Sequence, residues 1–273
     1  MSAGDNEAVR RFRSEPLFRG VGVALLTIFD ADGGLDAKAS ADHAVRLVEL
    51  GVSAVLVAGT TGEPTSLEFA ERRALLRAVR AALPPGCGTP IIAGTGGPSV
   101  RQAVTYTAAA CDDGADALLV LSPPGVDDVR RYYDAVSVAA SGVSVLAYHY
   151  PVASAPGISV AQLQELPIVG CKDSSGDATR FHQELASFDG WLYSGSPMLT
   201  LLAGAMGAPG VILALANLEP ELCVRSFSGD VGAQMTVAES HLATIGEFPG
   251  TLKERVAARF GTSPAVRIGR DGR

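Results

Sequence analysis

Short runs rich in Val, Ile, Leu and Ala recur along the chain at residues 21–27, 53–58, 90–94, 117–121, 143–148, 168–172, 191–194 and 210–213. They are apolar throughout rather than alternating, which is the pattern of parallel strands covered on both faces. Segments of helical periodicity, such as 67–83 and 99–113, lie between them. The order is therefore β then α, repeated. Eight such units predict an α/β fold of the (β/α)8 TIM-barrel type, whose functional groups gather at the C-terminal ends of the strands. A doubly wound sheet is the alternative, but it normally carries Gly-x-Gly-x-x-Gly after its first strand. Gly94-Thr95-Gly96-Gly97 follows the third run and lacks that spacing. Residues 219–273 hold helical patterns without a strand run. The expected organisation is a barrel over 1–218 and a short C-terminal helical extension over 219–273 packed on it, forming one domain.

Composition narrows the function. A formal net charge of -7 with scattered arginines argues against a nucleic-acid partner, since neutralising a phosphate backbone requires basic clusters. The densest basic stretch is Arg10-Arg11-Arg13, and no apolar run follows it as in a signal peptide. No run approaches the roughly 18 apolar residues of a membrane span. A soluble, cytoplasmic protein is expected. Cys87, Cys111, Cys171 and Cys223 are far apart and read as reduced thiols rather than a disulfide framework or zinc site. His43, His149, His182 and His241 are isolated, so the sequence gives little support for a metal.

The polar residues at the strand ends carry the candidate chemistry. Of three lysines against nineteen arginines, Lys172 closes the run Ile168-Val169-Gly170-Cys171 and precedes Asp173-Ser174-Ser175-Gly176-Asp177. Ammonium groups are costly to bury, so a lysine at the inner end of a strand is a candidate amine nucleophile that forms Schiff bases with carbonyl compounds. The alternative is a lysine that snorkels to solvent or pairs with Asp173. The second run ends in Gly59-Thr60-Thr61-Gly62-Glu63. Its N–H groups and hydroxyls suit a small anion such as a carboxylate beside a carbonyl. In the alternative, Thr61 or Thr65 caps the next helix. Tyr148, in Tyr148-His149-Tyr150-Pro151, is either a proton relay or a packing and hydrogen-bonding anchor.

Three elements in this order and spacing, Gly59-Thr60-Thr61-Gly62-Glu63, Tyr148-x-x-Pro151 and Ile168-Val169-Gly170-Cys171-Lys172-Asp173-Ser174-Ser175-Gly176-Asp177, resemble the dihydrodipicolinate synthase/N-acetylneuraminate lyase family of class I aldolases. The likeness extends from Gly20-Val21 through Ala93-Gly94-Thr95-Gly96 to Gly207-Ala208-Pro209-Gly210-Val211 and Ala216-Asn217. It implies that Lys172 is the Schiff-base lysine attacking the C2 carbonyl of pyruvate or another 2-keto acid, and that Tyr148 relays protons. Thr60 and Thr61 would hold the substrate carboxylate, and Gly195 and the backbone around Ile212 would line the same pocket. The iminium then serves as electron sink, so neither a metal nor an organic cofactor is implied. A homo-oligomer, dimer or tetramer, is the expected assembly.

The departures concern the second substrate. The synthase branch has a tyrosine pair after the fourth strand, one member of which reaches the neighbouring subunit's site; here that place reads Ser122-Pro123-Pro124-Gly125. Tyr132-Tyr133 come later, in a helical stretch, and do not inherit the role. The branch also has an arginine shortly after Tyr-x-x-Pro that binds a carboxylated aldehyde, whereas Val152-Ala153-Ser154-Ala155 stands here and the next arginine is Arg180. Tyr148-His149-Tyr150-Pro151 is similar to the Tyr-x-Tyr-Pro of 2-keto-3-deoxy-sugar-acid aldolases, in which the second tyrosine and a threonine two past the lysine contact sugar hydroxyls. Those positions are Tyr150 and Ser174, whose alternatives are core packing and a strand-end turn. The match is partial, because serine replaces that threonine here and the loop after the second run continues as Glu63-Pro64. The expected activity is a pyruvate-dependent aldolase for a neutral, hydroxylated aldehyde. The alternatives are 4-hydroxy-tetrahydrodipicolinate synthase and a catalytically degenerate keto-acid-binding barrel.

Overall fold

The computed structural model describes residues 14–268; Arg10-Arg11-Arg13 lies outside the described residues. Eight strands run in chain order: β1 (Gly20–Ala24), β2 (Ala54–Val57), β3 (Ile91–Gly94), β4 (Ala117–Leu121), β5 (Ser144–His149), β6 (Gly170–Asp173), β7 (Trp191–Ser194) and β8 (Gly210–Leu213). They alternate with α1 (Ala37–Glu49), α2 (Phe69–Ala82), α3 (Val100–Asp112), α4 (Arg130–Ala139), α5 (Val160–Glu165), α6 (Ala178–Ser187), α7 (Thr200–Ala205) and α8 (Pro220–Phe227). Each strand pairs in parallel with the next, and β1 pairs with β8. The expected (β/α)8 barrel is the fold, and each apolar run overlaps one of its strands, with β1, β5 and β6 each extending one residue beyond their run. Two further helices, α9 (Val231–Leu242) and α10 (Gly250–Phe260), follow.

The runs are apolar at every position because both faces are covered. Ala24, Leu56, Ile92, Leu119, Leu146 and Ile212 fill the barrel interior. Their neighbours Val23, Val55, Leu118, Val145, Cys171 and Val211 pack outward with helix residues such as Leu47, Leu76, Val136 and Phe181. At the N-terminal end, a Cβ on Gly22 would lie 3.0 Å from the Phe18 ring, so glycine there leaves room for a plug. Phe18 stacks on Tyr193 at 4.5 Å between centroids, and the Tyr193 hydroxyl donates to Phe18 O at 3.2 Å. Trp191 Nε1 donates to Ser14 O, tying the entering chain to the same end.

Several helices begin where side chains accept otherwise free N–H groups. Asp36, Ser99, Asp177 and Asp230 do this for α1, α3, α6 and α9. Glu68 and Glu71 form a reciprocal capping box at α2. Glu68, not Thr61 or Thr65, caps that helix, so the capping alternative for the strand-end threonines is not realised. Tyr132 and Tyr133 are structural. Tyr133 donates to Val120 O at 2.7 Å, and the Tyr132 hydroxyl bridges Gly97 and Leu121. Cys171 and Cys223 are buried free thiols, while Cys87 is a free thiol exposed in the loop before β3. Among the described residues, no helix is long and apolar enough to cross a membrane.

Barrel closure has a side-chain latch. Asn217, fully buried just after β8, donates to Ala24 O at 2.7 Å and accepts from Leu26 N at 3.0 Å, bonding across to the end of β1. Replacing it strands a buried N–H and a buried carbonyl, each worth about 1–3 kcal/mol. Asn217→Leu is therefore expected to lower unfolding free energy by about 2–4 kcal/mol, seen as a lower urea midpoint at unchanged slope.

Candidate active site

Successive strand residues face opposite sides of the barrel wall, and this separates Lys172 from Asp173. In register, Lys172 lies beside Tyr148 of β5 and Tyr193 of β7. Its side chain is 4% exposed, with Nζ 4.5 Å from the centre of the Tyr148 ring. Asp173 points the other way, 3.6 Å from Arg180 of α6, and accepts from Ser175 N at 2.7 Å. Lys172 thus neither snorkels to the surface nor pairs with its neighbour. The other two lysines are engaged elsewhere: Lys38 is exposed and pairs with Asp42, and Lys253 pairs with Glu63 in the interior.

A cavity of about 530 Å³ opens at the C-terminal ends of the strands, and Lys172, Tyr148, Thr60, Thr61, Tyr150, Ser174 and Gly195 all line it. Tyr148 and Tyr150 stack with centroids 5.7 Å apart, and burial, then Tyr148, raises the pKa of Tyr150. At Gly195 an added Cβ would sit 1.8 Å from Ser174 Oγ and 2.8 Å from Lys172 Cε. Only glycine leaves the lysine its path. Ile212 is the exception among the expected residues. It is 1% exposed in the barrel interior beside Gly22, and past β8 the wall is built by Ala214 and Leu215. The register of β8 sets Ile212 one inward position below the cavity floor.

The far wall was not foreseen. His241, Thr244, Ile245, Phe248 and Leu252, from the end of α9 through the start of α10, face the same cavity. An isolated histidine gives no motif; only the folding back of α9 brings it here. Burial lowers the His241 pKa, favouring a neutral imidazole that both donates and accepts. Among the described lining residues, Lys172 is the only lysine or arginine, and no aspartate or glutamate is present.

Residues 17–247 match the model of the dihydrodipicolinate synthetase family. The chain belongs to that family. A 4-hydroxy-tetrahydrodipicolinate synthase of Salinibacter ruber is 36% identical over 92% of this chain and 89% of its own. Among solved structures, a dihydrodipicolinate synthase from Acinetobacter baumannii complexed with pyruvate is 28% identical, with a TM-score of 0.78 over 87% of each chain. YagE, a prophage protein of the dihydrodipicolinic acid synthase family from E. coli K12 in complex with pyruvate, shares the fold, with a TM-score of 0.84 at 22% identity over 92% of each chain. Membership makes the protein a lyase of the class I, Schiff-base-forming aldolase type. Where the synthase branch of the family has its tyrosine pair, Ser122, Pro123 and Pro124 border a second cavity of about 410 Å³. Thr60 and Tyr148 line both cavities.

Behind the strand carrying Lys172 lies a buried charged group. Arg180 lies 2.7 Å from a Glu184 oxygen and donates to Ile158 O at 2.7 Å, while Ile158 N donates to His149 Nδ1 at 3.0 Å. The ends of β5 and β6 are thereby joined to the loop between them. Burial, reinforced by Arg180 and opposed by Asp173, lowers the His149 pKa to about 4. Burial and the nearby Asp173 charge push Glu184 up to about 8.

A raised carboxyl pKa has a definite sign in stability. From about pH 4.5 to about 8 the native Glu184 keeps a proton that the unfolded chain has lost, so its contribution to stability falls as pH rises. Glu184→Gln, neutral in both states, is expected to remove that dependence. Measured by urea denaturation at pH 5 and pH 7.5, its stability relative to the parent should increase at the higher pH.

Proposed function

We propose that Lys172 forms a Schiff base with pyruvate, and that the site joins it to, or releases from it, a neutral hydroxylated aldehyde, the compound made or cleaved being a 2-keto-3-deoxy sugar acid. The observation that carries this reading is a single cation, Lys172, in a cavity large enough for a keto acid and an aldehyde, with hydroxyls from Thr60, Thr61, Tyr150, Ser174 and Thr244 around it. A carboxylated aldehyde would need a second cation, preferably a bidentate arginine.

The chemistry follows from the placement. The Lys172 amine adds to the C2 carbonyl, and loss of water from the carbinolamine leaves an iminium. Thr60 and Thr61 hold the adjacent carboxylate, which fixes the carbonyl in line with the amine and makes attack effectively unimolecular. In the cleavage direction Tyr148, left as a phenolate once its proton has departed with the carbinolamine hydroxyl as water, takes the proton of the C4 hydroxyl; the C3–C4 bond breaks, and its electron pair moves into the iminium to give an enamine. The aldehyde leaves. Tyr148 passes that proton to C3, and hydrolysis of the iminium releases pyruvate, restores the amine and returns a proton to the phenolate. Synthesis is the reverse, with Tyr148 returning the proton to the new hydroxyl.

Identity to proteins named as 4-hydroxy-tetrahydrodipicolinate synthases favours a second reading, in which the aldehyde is aspartate semialdehyde. The accepted aldehyde separates the two: glyceraldehyde is expected to be turned over with pyruvate, and aspartate semialdehyde is not. Pyruvate capture without turnover of any aldehyde would instead mark a degenerate binding barrel.

Borohydride reduction in the presence of pyruvate is expected to leave one adduct, on Lys172, and Lys172→Ala to abolish it in a folded protein. An adduct that persists on Lys38 or Lys253 would sink the assignment. Gly195→Ala, which drives a methyl into the lysine's path, is expected to slow capture about 100-fold, since misplacement by about 1 Å costs that much.

A further inference from the structure

The loop carrying Thr60 and Thr61 has no conformational slack of its own. The 3₁₀ turn Thr60–Gly62 is flanked by two non-glycine residues in the left-handed region, Ala58 at φ 51° and Glu63 at φ 53°. Such residues are strained and persist only where their surroundings hold them. One restraint is local: Thr27 Oγ1 donates to Gly62 O at 2.7 Å.

The larger restraint comes from the far end of the sequence. The Glu63 side chain turns away from the cavity and is 0% exposed. Its Oε1 lies 2.6 Å from Lys253 Nζ, also 0% exposed, on α10. Its Oε2 accepts from the backbone N–H groups of Arg267 and Ile268, both at 2.8 Å. Lys253 also donates to Ala265 O at 2.7 Å. The Arg267 guanidinium bonds both Glu71 oxygens at 2.6 and 2.7 Å, Ser66 O at 3.0 Å and Gly33 O at 2.6 Å. Phe29 lies between the two cations, 4.3 Å from each. Apart from the one between Lys253 and Ala265, these bonds from the tail land on the connection between β2 and α2, on the first turn of α2 or on the loop after β1.

A buried ion pair is an inefficient way to gain stability, because apolar residues of equal volume often do as well or better. What it provides is a fixed geometry, since a carboxylate with one cation and two N–H donors has a single good position. From this we infer that Glu63, Lys253 and Arg267 are positioning residues for the keto-acid cradle: the segment 263–268 acts as a strap that sets where the Thr60 and Thr61 hydroxyls stand relative to Lys172. This rests on the Schiff-base reading given above. None of the three lines the cavity, so they act through the loop rather than by touching substrate.

The test follows covalent capture of pyruvate at Lys172 as a function of pyruvate concentration, by borohydride reduction and peptide mass, on the full chain. Arg267→Ala is expected to raise the half-saturating pyruvate at least about tenfold while the rate at saturation stays within about threefold of the parent, the signature of a misplaced binding group with an intact amine. Arg267→Lys keeps the charge without the planar fork and should fall between, and it decides the matter if Arg267→Ala does not fold. The double variant Glu63→Gln/Lys253→Met removes both buried charges together, leaving neither alone, and should likewise weaken pyruvate. A folded variant with the parent's half-saturation overturns the inference. So does a saturating rate that falls in proportion to affinity, which would mean general disorder. If the parent itself gives no adduct at Lys172, the Schiff-base reading fails and takes this inference with it; a parental adduct with unmoved variants fails this inference alone.

Discussion

Closure of β1 on β8 is the constraint from which the rest of the structure follows. A closed ladder has no edge along which a strand can slip, and a slip of one residue would exchange every inward and outward side chain. Closure therefore fixes Lys172 inward and Asp173 outward, places Tyr148 beside Lys172, and brings Thr60, Gly195 and Ser174 to one rim. The Asn217 latch and the Phe18 plug serve the same end from opposite directions. One bonds the last strand to the first, and the other fills the space that glycines leave at the N-terminal mouth.

The distribution of charge is the second organising feature. Among its described lining residues the cavity around Lys172 holds that one lysine and no arginine, Arg72 lines the neighbouring cavity, and the buried carboxylates stand behind the strands or beneath the β2 loop. Arg180 with Asp173 and Glu184 braces the ends of β5 and β6 on one side. Lys253 and Arg267 with Glu63 and Glu71 brace the loop after β2 on the other. The separation leaves the cavity around Lys172 without a carboxylate among its described lining residues. Both braces grip the backbone of segments that present side chains to the cavity, so the site is held from outside while its interior stays open for substrate.

The C-terminal helices do more than cover the barrel. The end of α9 gives the cavity its far wall, with a neutral imidazole and a threonine hydroxyl, and α10 with the residues after it secures the threonine loop. The same segment thus reaches the site twice, at the threonine loop through Glu63 and at the cavity wall through His241 and Thr244. Ser122, Pro123 and Pro124 border a second cavity that shares Thr60 and Tyr148 with the first and is also lined by Arg72.

The sequence by itself determined the eight-unit barrel, because strands buried on both faces need continuous apolar runs and those runs survive in one dimension. It also determined Lys172, Tyr148 and the two threonines as a group, since the functional residues of this architecture fall at strand ends and strand ends can be counted. Tertiary structure alone decided what lies between distant segments. Ile212 falls below the cavity because strand stagger, invisible in the sequence, sets the depth of each residue. His241 enters the cavity, and Glu63 leaves it for Lys253, because helices packed after the barrel bring residues some 190 positions apart into contact. Isolated charged and aromatic residues carry no periodic signal of their own. Their partners are chosen by packing and by the cost of leaving a buried charge alone, and both exist only in the folded chain.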